Sequence, residues 1–96
     1  MKAKSSGLKS ASAAIFPGPC FYLGAVHVTD ASADNVMTVW DSPDTTVTND
    51  TEIDYFVGED TVKTLCHILK EPVWCSKGIS CVLDADDASY IVWYAY

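Results

Sequence analysis

From Cys20 onward the chain consists of short runs of β-branched and aromatic residues broken by turn formers, the pattern of many short strands in a sandwich or barrel. The runs predict strands near 21–29, 36–41, 52–58, 62–69, 72–76, 78–83 and 89–96. Between them lie 30–35, 41–50, 58–60, 76–78 and 84–89, each rich in Asp, Asn, Ser, Gly or Pro. Alternation orients several strands. Ile53, Tyr55 and Val57 are expected on one face with Asp54 on the other, and Ile79, Cys81 and Leu83 repeat the pattern. In the last strand Tyr90, Val92, Tyr94 and Tyr96 share one side and Ile91, Trp93 and Ala95 the other, so this strand is expected to be central or to lie against a partner. Residues 60–70 also fit a helical spacing through Val62, Leu65, Cys66 and Leu69, with Asp60 or Thr61 as the cap; strand is the preferred reading. No repeat of 20–50 residues is present.

Residues 1–19 read differently. They are rich in Ser, Ala, Lys, Gly and Pro and end in Phe16-Pro17-Gly18-Pro19, which can continue neither a helix nor a central strand. Only Leu8, Ile15 and Phe16 are large and apolar, too few to offset the entropy of ordering an element. The division expected is an extended N-terminal arm over 1–19, held by a neighbouring subunit or another protein, and a β domain over 20–96.

Charge sharpens that division. The six basic residues are all Lys, at 2, 4, 9, 63, 70 and 77, against 13 acids. The first 19 residues hold three Lys and no acid, giving +3; the remainder holds three Lys and 13 acids, giving −10. Without Arg, and with an acidic body, specific nucleic-acid readout is not expected. The longest apolar run, Ile91–Tyr96, is six residues against the roughly 20 that a spanning helix needs, so no membrane partner is expected. At 96 residues the chain can build one thin core, and a homo-oligomer, dimer or trimer, is the expected way to complete it.

Candidate chemistry is sparse. Cys20, Cys66, Cys75 and Cys81 include no C-x-x-C, and His27 and His67 supply no H-x-x-x-H, so neither zinc nor any other cofactor is expected. The start Met1-Lys-Ala-Lys has no apolar stretch after it, which predicts synthesis in a reducing cytoplasm with the thiols unpaired. Asp84, Asp86 and Asp87 form an acidic loop without calcium-loop spacing. Cys66 and His67 are neighbours on a predicted strand and therefore point to opposite faces, which separates a nucleophile from its base. No catalytic residue is assigned. The aromatic residues are read as packing and contact groups, with Tyr90, Trp93, Tyr94 and Tyr96 as the oligomer interface and Lys2, Lys4, Lys9, Ile15 and Phe16 as the interaction arm.

Phe21-Tyr-Leu-Gly-Ala-Val-His-Val28, Met37-Thr-Val-Trp-Asp41, the segment Glu71-Pro-Val-Trp-Cys-Ser-Lys-Gly-Ile-Ser-Cys-Val-Leu83 and Tyr90-Ile-Val-Trp-Tyr94 together resemble the small β-sandwich virion proteins of tailed bacteriophages. The resemblance covers residues 20–96. It implies an all-β fold, a small antiparallel sandwich of jelly-roll type with about six or seven strands, and a non-enzymatic role. That role would be a capsid decoration or cement protein on the virion, made in the host cytoplasm, with the major capsid protein or other virion proteins as partners. A tail, neck or fibre component and a carbohydrate-binding host-recognition module are the alternatives.

Overall fold

The computed structural model describes residues 2–29, 35–59, 63–84 and 88–96. Among them are eight strands and no helix: β1 Ala3–Ser5, β2 Ala13–Phe16, β3 Cys20–Thr29, β4 Asn35–Asp41, β5 Thr51–Gly58, β6 Thr64–Cys75, β7 Ile79–Leu83 and β8 Ala88–Ala95. They form two four-stranded antiparallel sheets, β1-β8-β3-β6 and β2-β7-β4-β5. The sheets share one core, a sandwich-like all-β fold, because each is apolar on its inner side. Cys20, Tyr22 and Ala25 of β3 and Tyr90 and Val92 of β8 meet Met37, Val39, Phe56, Ile79 and Cys81 of the opposite sheet. β8 is a central strand, as its two apolar sides predict.

The N-terminal segment departs most from expectation. Instead of projecting as an arm, it pairs with its own chain: Ala3, Lys4 and Ser5 face Ala95, Tyr94 and Trp93, while Ala13 and Ala14 face Cys81 and Ser80. Between these strands, Lys9 and Tyr90 exchange both backbone hydrogen bonds at 2.8 and 2.9 Å, and Ser6 N–H donates to the Val92 carbonyl at 2.8 Å. The Tyr90 hydroxyl donates to the Ala11 carbonyl, and Leu83 N–H donates to Ser12 Oγ. What side-chain burial could not supply, backbone pairing does: without this segment β8 and β7 would each present an open row of donors and acceptors.

Two irregularities explain the other differences. The strands expected at 62–69 and 72–76 are one strand, β6, because Tyr22 pairs with Val73 and Gly24 with Ile68, leaving 69–72 as a wide bulge around Pro72. The candidate cap at 60–61 lies outside the described residues. In β5, Val39 pairs with Asp54 but Trp40 pairs with Glu52, so Ile53 is an extra, bulged residue. The bulge resets the alternation. Tyr55, 52% exposed, and Val57 face outward with Asp54 and the buried Phe56 on the other side, as the alternation predicts, whereas Ile53 leaves that set and packs against the core.

Asp41 closes the turn before β7. Its Oδ1 accepts from Lys77 N–H at 2.9 Å and Gly78 N–H at 3.2 Å, and its Oδ2 from Ser76 N–H at 3.2 Å. Lys77 in turn pairs with Asp50 at 2.7 Å.

Candidate functional site

Backbone register places the outward side chains of the first sheet in four cross-strand rows. Ala3, Ala95, Phe21 and Trp74 form one, and Ser5, Trp93, Gly24 and Ile68 the next. Ile91, Val26 and Cys66 form the third, and Ser89, Val28 and Thr64 the fourth. None of these positions is acidic or basic; Lys70 and Glu71, exposed in the 69–72 bulge between Ile68 and Trp74, are the nearest charges on β6. Ile68 is 67% exposed and Trp74 55%, with Val28 also open to solvent, and Trp74 meets Phe21 edge to face at 4.9 Å. An apolar, aromatic-bearing centre with a rim of Ser and Thr is the anatomy of a protein contact surface. Gly24, itself buried, leaves the middle of the second row without a side chain. Its φ of +138° is open to glycine, and a Cβ there would lie 2.1 Å from the His67 carbonyl oxygen. The bulge beside it offsets the two strands without breaking them.

At the open edge between β5 and β6 the structure assembles a second group. The Tyr22 hydroxyl donates to Asp54 Oδ2 at 2.6 Å, and His67 Nδ1 donates to Asp54 Oδ1 at 2.9 Å. Phe56 stacks on the imidazole at 4.1 Å. Burial, then the bond to Asp54, pushes the Tyr22 phenol far above its ordinary range, so it stays a proton donor. Asp54 thus ties a strand of one sheet to two strands of the other. Among the described residues no hydroxyl or thiol is hydrogen-bonded to the imidazole, so the group orients His67 without presenting it a nucleophile.

His27 has the opposite surroundings. It is wholly buried, its Nε2 donates to Asn35 Oδ1 at 3.0 Å, and its Nδ1 has no partner among the described residues. Burial holds its pKa below the ordinary value, so the ring is neutral.

The cysteines are free thiols. Burial, aided by Asp41, pushes Cys20 up to about 11; burial, aided by Cys20, pushes Cys75 up to about 12; burial raises Cys81 further still. Only Cys66 is exposed, on the outward face and on the other side of β6 from His67, as their adjacency predicts. Asp84 Oδ1 accepts from Val36 N–H at 2.8 Å; Asp86 and Asp87 lie outside the described residues.

The two predicted contact sets meet each other. Phe16 stacks on Tyr96 at 4.4 Å and tilts against Tyr94 at 5.6 Å, and Lys4 lies 5.9 Å over the Tyr96 ring. Ile15 and Phe16 are half-buried against the chain's own core, Lys9 is half-buried, and Lys2 and Lys4 are exposed. Tyr90 is wholly buried in that core, which removes it from any contact surface; Trp93 and Tyr94 are half-buried and Tyr96 is exposed. The outward rows of β3 and β6 are missing from the residues singled out in the sequence. Their signal is that β3, like β8, is apolar on both sides.

Among known proteins, no family, no curated protein and no solved structure matches the chain.

Proposed function

We propose that the protein is a non-enzymatic structural component of a phage particle, a capsid decoration or cement protein whose partner is the major capsid protein or another virion protein. The observation that carries this reading is the set of aromatic-bearing outward rows of the β1-β8-β3-β6 sheet, which hold no acidic or basic side chain, Lys70 and Glu71 being confined to the β6 bulge beside them, a surface suited to holding protein. The strand order supports a jelly roll as the finer description: eight antiparallel strands pass between two sheets in the order 1-8-3-6 and 2-7-4-5, an architecture that recurs in capsid proteins. The segment resemblance to small virion sandwiches points the same way. A glycan module is the weaker reading, because the rows hold aromatic rings but no carboxylate, amide or guanidinium to meet sugar hydroxyls.

Mass spectrometry of purified virions of the phage encoding the chain is expected to find it at a copy number comparable to the capsid protein. Its presence in the infected lysate but absence from particles would overturn the reading. The role of the basic segment is tested by Lys2→Ser, Lys4→Ser and Lys9→Ser combined, since deleting 2–16 would remove β1 and β2. Occupancy on particles is expected to fall; unchanged occupancy rejects that role.

A further inference from the structure

We infer that two copies of this chain stack through the outward face of the β1-β8-β3-β6 sheet, related by a twofold axis that runs along the strands between β8 and β3. The inference rests on reading that face as a contact surface and names its occupant. Three observations select a second copy.

The first is size matching. Such an axis turns each cross-strand row onto itself in reverse, so that β8 of one copy lies over β3 of the other and β6 over β1. Trp93 then faces Gly24, Ile91 faces Val26 and Ser89 faces Val28, while Phe21 lies over the end of β8 at Ala95, which is 1% exposed within its own copy. At the margins Trp74 faces Ala3 and Ile68 faces Ser5. Nearly every contact sets a large side chain against a small one, which is how two surfaces interdigitate. The key fit is Trp93 over Gly24, the position in the rows without a side chain, where a Cβ would collide with the His67 carbonyl and none can be added. Strand-aligned stacking is also the common way for two sheets to pack, within about 30° of parallel.

The second is charge. Residues 20–96 carry three Lys and 13 acids, so two copies repel wherever carboxylates meet. The four rows hold none; Glu71, beside Lys70 in the 69–72 bulge of the edge strand β6, is the nearest carboxylate, and face-to-face stacking keeps it and the acidic loops at the margins.

The third is area. Four strands at about 4.8 Å spacing and about eight residues of length give about 500 Å² of face, hence about 1,000 Å² over two copies, the threshold for a specific interface.

Sedimentation equilibrium of the full chain from about 1 to 200 µM, a range that brackets the affinity of a small interface, is expected to show a monomer–dimer equilibrium. Ile68→Asp places a carboxylate at an exposed edge position and is expected to weaken the dimer at least about tenfold while leaving the circular dichroism spectrum unchanged. Trp74→Ser, which removes a ring without adding charge, supplies a second variant if the first does not fold. A wild-type chain monomeric throughout, a trimer, or variants that fold and dimerise like wild type would overturn the inference. A monomeric chain still found in virions would leave the proposed function standing, whereas a dimer absent from virions would overturn that function and leave the stacking intact.

Discussion

The outward faces of the two sheets are built from similar residues and differ in what is left open. On the β2-β7-β4-β5 sheet the outward rows are Ala14, Ser80, Trp40 and Glu52, then Val82, Thr38 and Tyr55, then Val36 and Val57. Part of that face is closed by the chain itself: Ser80 is wholly buried and donates to the Ser42 carbonyl at 3.0 Å. A carboxylate, Glu52, stands at its edge. The β1-β8-β3-β6 sheet holds no acidic or basic side chain in its outward rows, with Lys70 and Glu71 confined to the 69–72 bulge beside them, and has a glycine, Gly24, at its centre. The lesson is that apolar character alone does not mark a contact surface. Absence of charge together with a shaped relief does.

That contrast can be broken at its glycine. Gly24→Ala would force an unfavourable φ and a collision with the His67 backbone, and is expected to cost about 3 kcal/mol or more in urea denaturation. Gly7→Ala, at a φ of +71° with open space around it, is expected to cost much less.

On the other sheet, Asp41→Ala leaves three backbone N–H groups of residues 76–78 without their acceptor and is expected to cost about 2 kcal/mol by the same measurement. Association should be unaffected, because Asp41 lies outside the proposed interface.

A matched pair of rings sharpens the comparison further. Tyr55 and Trp74 are 52% and 55% exposed on opposite faces. Trp74→Ser is expected to raise the dimer dissociation constant about tenfold, or about 1.4 kcal/mol, while Tyr55→Ser leaves it unchanged. Equal effects would erase the distinction between the faces.

The smallest expected effect separates the inside of β3 from its outside. Val26 and Val28 point outward while the buried His27 between them points inward. The folded pKa of His27 is lowered from 6.5, so as pH falls below that value the unfolded chain takes up the proton first. Stability is therefore full above about pH 6.5 and is lost as pH falls toward the folded value. Urea midpoints measured across this window should decline for the wild type, and less steeply for His27→Gln.

Much of the fold was legible because strand texture is local. The runs through β3, β4, β5, β7 and β8 and the turns between them follow from neighbouring residues alone. The N-terminal strands were not legible, because Ala3–Ser5 and Ala13–Phe16 owe their form to partners about 65 to 90 residues away and not to their own side chains. Nor were the bulges at Ile53 and at 69–72, each of which resets a two-residue period that the sequence continues unchanged. Of the candidate contact residues, Trp93 remains in the proposed interface. Ile68 and Trp74 were passed over because their importance comes from register with β3, which no local pattern contains. The Asp54–His67 bond was hidden for the same reason, joining β5 to β6 only after the Ile53 bulge has turned Asp54 inward.

Because β1 pairs with β8 and β2 with β7, residues 3–16 wait for partners that are synthesised much later. The β2-β7-β4-β5 sheet cannot close until synthesis has passed residue 83, nor the β1-β8-β3-β6 sheet until it has passed residue 95, and the contacts that complete them are long-range in sequence. Chains so wired fold slowly, with β3 and its apolar sides uncovered in the interval, a period in which a nascent partner or a chaperone has first access to the same surface.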